Sequence, residues 1–85
     1  MLPATLRRGG ASMVLSSIEN AEADRCVDLF VRPDGTFGFE EYRRDPEDRG
    51  GWTPVTGYAG IAFPTREAAM AEARRRVPWL AERRP

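Results

Sequence analysis

The chain contains no histidine, no lysine and a single cysteine, Cys26. Each absence closes a class of chemistry. Without an imidazole, Ser–His and Cys–His nucleophile pairs are excluded, and Ser16, Ser17 and Thr65 have no histidine to activate them. A lone cysteine forms no internal disulfide, and without histidine it falls short of the usual zinc ligand set. Phosphate loops are missing too: Gly9-Gly10 and Gly50-Gly51 stand alone, with no GxGxxG or GxxxxGK[ST] around them. No apolar run is long enough to span a bilayer as a helix. The expectation is a protein that is not an enzyme, takes no cofactor or metal, and has no membrane partner.

What is present is globular in kind. Hydrophobic residues make up 41% and charged residues 31%, which separates the chain from disordered sequences of low hydrophobicity and high net charge. Its 85 residues suffice for one small domain. A chain of this size buries only about 60–65% of the surface its unfolded form exposes, so the core is thin and self-association would help it.

All 13 basic residues are arginine, and 13 acids balance them. Arginine without lysine reads as base composition of the genome rather than function. Zero net charge argues against a general polyanion binder, whose affinity comes from counterions released at phosphate contacts. The balance is not local: residues 19–49 carry a net charge of −5 and residues 66–84 a net of +3. An acidic middle and a basic end could dock within one molecule or between two.

Arg7-Arg8 followed by an Ala-x-Ala at 21–23 invites comparison with an export signal. The apolar stretch between them, residues 13–18, is short and broken by Ser16 and Ser17, so a cytoplasmic protein is expected. Residues 1–12 read as a flexible tail, with translation from Met13 as an alternative, and residues 13–85 as the domain.

Residues 13–19 read as a first strand and 20–24 as a turn. RCVDLFVR at 25–32 is the clearest strand, rich in β-branched and aromatic residues. Pro33-Asp34-Gly35 supplies a type I turn with a glycine bulge, and TFGFEEYRR at 36–44 returns as the paired strand. RRDPEDRGGW then joins this strand to the next. Its acids lack calcium-loop spacing, so residues 45–51 read as a solvated connection. WTPVTGY at 52–58 predicts an edge strand, because of Pro54, with 60–63 as a continuation after a kink. Thr65 is a helix N-cap, and Ala69, Met70, Ala73 and Val77 give residues 66–76 a sheet-facing side. Pro78 ends that helix, and Trp79 and Leu80 add a last turn. The prediction is an α+β fold: an antiparallel three- to four-stranded sheet with one C-terminal helix packed on one face.

If Arg32 lies opposite Thr36, paired residues have numbers summing to 68. Val31–Phe37, Leu29–Phe39 and Val27–Glu41 then share one side, the expected core face. The other side pairs Phe30 with Gly38, Asp28 with Glu40 and Cys26 with Tyr42. Two carboxylates directly opposite each other normally destabilise a sheet. Asp28, Phe30, Glu40 and Tyr42 are therefore a candidate recognition face, carboxylates framed by half-exposed rings and suited to an arginine or other cation. Three further readings stay open. The pair could help bind a metal, although it supplies too few ligands alone. It could act as an acid and a base with split pKa values. Or a neighbouring strand sets an arginine beside the pair, or both acids simply point into water.

Arg74, Arg75 and Arg76, with Arg83 and Arg84 beyond, are the candidate nucleic-acid contact. The opposing reading is a solvated helix end whose charges suit the dipole. Glu40 and Glu41 would repel phosphate, and no RNP-type motif is present. Trp52 and Trp79 read as core anchors, because so small a core needs their area.

The span 24–80, with DRCVDLFVRPDGTFGFEEYRRD, GGWTPV and FPTREAAMAEARRRVPWL, resembles small bacterial β-meander-plus-helix proteins of unknown function. The plan is also similar to other β-β-β-α domains, among them DNA-binding arms of integrases. The resemblance implies a fold and no functional residue. The expected role is a non-catalytic interaction module whose partner is another protein or a second copy, with nucleic-acid binding as the alternative.

Overall fold

The structure, a computed structural model, describes residues 12–45, 51–55 and 57–82. The expected tail falls almost wholly outside the described residues, as do residues 46–50 of the charged connection and Arg83 and Arg84.

Four strands form one antiparallel sheet in the order β1-β2-β3-β4, an open meander with a C-terminal helical layer: the α+β fold the sequence predicts. They are β1 (Met13–Glu19), β2 (Arg25–Val31), β3 (Phe37–Arg44) and β4 (Trp52–Pro54). The β2–β3 register is the predicted one, from Val31 opposite Phe37 to Cys26 opposite Tyr42. Its turn shows why. Gly35 sits at φ 88°, which glycine adopts without a Cβ clash, and its N–H donates to Arg32 O at 2.9 Å. Asp34 Oδ1 accepts from Thr36 N at 2.9 Å and from Thr36 Oγ1 at 2.7 Å. These bonds, the backbone one foremost, hold the Asp34 carboxyl below its ordinary pKa.

The β1–β2 connection is tied by Asn20, whose Oδ1 accepts from Asp24 N and Arg25 N at 3.1 and 3.0 Å. That turn places Ala23 at φ 60°. Strand β1 carries a bulge: the register passes from Val14–Phe30 to Ser16–Leu29, leaving Leu15 extra.

Past β4 the prediction needs correcting. The strand ends at Pro54, and Tyr58–Gly60 forms a 3₁₀ turn where residues 52–58 read as one strand. Val55 N still donates to Glu41 O of β3 at 2.8 Å, and beyond the turn Phe63 returns to the sheet, bridging Phe37 with two backbone bonds of 2.8 Å. Pro54 and Gly57 fit this break, since proline removes a ladder donor and glycine favours turning.

Helix α1 (Arg66–Arg76) begins at Thr65, whose hydroxyl accepts from Ala68 N at 3.0 Å. It ends at Val77, held extended (φ −117°, ψ 97°) by the following Pro78, which opens the short helix α2 (Pro78–Glu82). Ala69, Ala73, Val77 and Leu80 pack on Val27, Leu29 and Phe39, with Ile18, Phe37, Tyr58, Phe63, Met70 and Trp79 around them. The alanines let the helix backbone approach the sheet. Each fully buried Leu, Val or Phe here contributes about 1.5–3 kcal/mol. Trp79 joins this core; Trp52, expected to do so, lies half-buried on β4 with the Arg44 guanidinium 4.8 Å from its ring centre.

Candidate functional site

The predicted recognition residues do come together, at paired positions on the side of β2 and β3 that faces away from α1. They are not exposed. Asp28 and Phe30 are 0% exposed, Tyr42 3% and Glu40 4%. The expectation of half-exposed rings, and of carboxylates pointing into water, is thereby corrected: the central ribbon is buried on both faces. Asp28 Oδ1 accepts from Ser17 Oγ at 2.6 Å, across the β1–β2 ladder. Glu40 Oε1 accepts from Glu41 N at 3.0 Å, and its Oε2 from Ala59 N at 3.4 Å. Buried carboxylates need such donors, because an unbonded one would carry a large desolvation penalty. Among the described residues, no group of three or more Cys, Asp or Glu side chains is placed to hold a metal ion. The Cys26 thiol is buried.

Phe30 lies over Gly38 so closely that a Cβ on residue 38 would sit 2.7 Å from Phe30 Cζ. Arg32, which the register sets opposite Thr36, completes this corner. Its guanidinium is 5.0 Å from the Phe30 ring centre and donates to Phe37 O and Ile61 O, both at 3.2 Å, and to Ala59 O. One arginine thus fastens the 3₁₀ turn to the end of the hairpin.

A second polar knot was also missed. Glu41, at the far end of the core face, is 6% exposed. Its Oε2 accepts from Trp79 Nε1 at 2.9 Å and pairs with Arg25 Nη1 at 3.2 Å. Only the Glu41–Trp79 contact needed α2 to be placed first; Arg25 and Glu41 are diagonal neighbours across β2–β3.

The three helical arginines divide. Glu72 binds Arg75 through Nε and Nη2 at 3.0 and 3.2 Å, and also binds Arg76 Nε. These bonds, Arg75 first, pull the Glu72 carboxyl down to about 2 and raise the Arg75 pKa. Arg76 lies 5.8 Å from the Tyr58 ring centre. Arg74 takes part in neither arrangement and turns toward a different feature.

That feature is a groove of about 270 Å³ between α1 and β1, lined by Ser16, Leu29, Met70 and Ala71 and rimmed by the exposed Arg66, Glu67 and Arg74. Among the described residues, none of the three rim charges forms an ion pair. The groove lies beside α1, whose main sheet contacts are with β2 and β3. Beside it runs the outer edge of β1, which pairs with no strand among the described residues. Met13, on the same side, is 58% exposed, the one large hydrophobic side chain so exposed among the described residues. Ser16 and Ile18 lie on the helix side of β1, opposite Leu29 and Val27; Ser16 lines the groove and Ile18 packs on the core.

Compared with protein-family models, with curated proteins and with solved structures, the chain matches none. Among the described residues, no helix is long and apolar enough to cross a membrane.

Proposed function

We propose that this protein is a cytoplasmic, non-catalytic interaction module that takes an extended protein segment against β1. The observation carrying the reading is the pairing of an edge strand with a groove that has an apolar floor and a charged rim. An added strand gains main-chain hydrogen bonds from the edge, and alternate side chains enter the groove, the mode by which sheet edges recognise peptides. This moves the expected interaction surface from the Asp28–Tyr42 face, which is buried, to the opposite side and the next strand. The phosphate-binding alternative has less support, because Glu72 occupies Arg75 and Arg76.

A displayed library of extended seven-residue peptides tests this, panned against wild type and against Ala71→Trp, which fills the groove. Selected peptides are expected to shift the backbone amide resonances of residues 13–19 and to lose binding to Ala71→Trp. An empty selection, or shifts confined to other elements, overturns the reading. Tight oligonucleotide binding that falls steeply with salt would put nucleic acid in its place.

A further inference from the structure

Resting on that reading of the β1 edge and its groove, we infer that the segment bound there is β1 of a second copy, in a twofold dimer. The argument is self-complementarity. In a twofold contact, residue i of one copy meets residue j of the other and j meets i, so numbers along two antiparallel elements sum to a constant. Four of the five rim and lining positions of α1 obey this about a point between residues 70 and 71, while Arg66 falls opposite Arg75, whose charge Glu72 already pairs. Glu67 falls opposite Arg74 of the second copy, and Met70 opposite its Ala71. A carboxylate meets a guanidinium at both ends, and at the centre a long side chain meets a short one. Among the described residues, Glu67 and Arg74 form no ion pair within the chain.

The strand edge admits a twofold seam, since joining β1 to its copy would continue both sheets through one antiparallel pair of edges. The Leu15 bulge bends the first half of the edge and limits pairing to residues 16–19. Strand spacing puts the two α1 helices roughly 20 Å apart across the seam, the reach of an extended arginine meeting a glutamate head to head. Met70 lines the space between them.

The test is a charge exchange read by analytical ultracentrifugation at low salt, with circular dichroism confirming that each variant is folded. Wild type is expected to dimerise reversibly. Glu67→Arg and Arg74→Glu each place like charges at both ends of the contact and are expected to weaken dimerisation about tenfold or more. Mixing the two single variants restores a heterodimer, since each end then pairs an arginine of one copy with a glutamate of the other; the double variant also recovers. Wild type that stays monomeric to millimolar concentration, single variants that dimerise like wild type, or mixtures that fail to recover would overturn the inference. The peptide selection separates the two claims: a monomer whose β1 amides shift with peptide keeps the interaction surface and loses only the dimer, whereas a monomer that selects nothing loses both.

Discussion

Gly38→Ala adds one methyl group to a face of the sheet that has no room for it. The new Cβ would lie 2.7 Å from Phe30 Cζ and 2.9 Å from both Phe30 Cε1 and Arg32 Nη2. Comfortable carbon contacts are about 3.5–4.0 Å, so the ring must retreat by roughly 1 Å. Phe30 is 0% exposed and cannot swing aside. Arg32 is held by backbone carbonyls of β3 and of the segment that follows the 3₁₀ turn. Overpacking of this kind costs about 1–3 kcal/mol. Alanine's smaller loss of chain freedom returns about 0.5–1 kcal/mol, and mid-range values leave a net destabilisation of about 1 kcal/mol. For a domain of this size that lowers Tm by roughly 4–8 °C. Urea and thermal melts followed by circular dichroism read the effect. Phe30→Leu removes the clashing Cζ, so Gly38→Ala should cost about 1 kcal/mol less in that background. An unchanged or raised Tm, or equal costs in the two backgrounds, refutes the reasoning.

Three further outcomes follow from the same contacts. Trp79→Phe deletes the indole N–H that Glu41 accepts while keeping most of the apolar area, and should cost about 1–3 kcal/mol in urea melts. Ala23→Gly relieves a left-handed residue and should raise stability by up to about 1 kcal/mol, whereas Ala23→Val should lower it. Glu72, titrated by carbon-detected NMR, should protonate at about 2. Because its folded pKa lies below the unfolded 4.5, its contribution to stability is present above pH 4.5 and is lost as pH falls toward 2; Arg75→Ala with Arg76→Ala should return the midpoint toward 4.5.

The hairpin and the main helix were legible because local chemistry specified them. Pro33-Asp34-Gly35 pins one turn geometry, and that geometry dictates every β2–β3 pair out to Tyr42. Thr65 and Pro78 bracket α1 in the same way. Burial of the second face was not legible. Asp28 and Glu40 in alternate positions carry the pattern of a solvated strand, and polarity alone does not distinguish a carboxylate in water from one bonded to Ser17 or to Ala59. Asp28's partner lies 11 residues earlier, on a strand whose register is displaced by the Leu15 bulge. Arg32 was hard to read for a related reason: three of its four acceptors are backbone carbonyls, which carry no residue identity. The groove depends on where α1 ends sideways over the sheet, a property of packing rather than of any one segment.

The strand order has a kinetic consequence. Every neighbouring pair in β1-β2-β3-β4 is consecutive in the chain, so the sheet assembles by short loop closures in succession, each adding little entropic cost. Such a topology favours fast folding for a protein with this much strand. The β2–β3 hairpin, with the tightest turn and both faces covered, is the natural nucleus, and α1 can gain its burial only after that surface exists. Substitutions in the Pro33–Gly35 turn should therefore slow folding, while those on the inner side of α1 should chiefly speed unfolding.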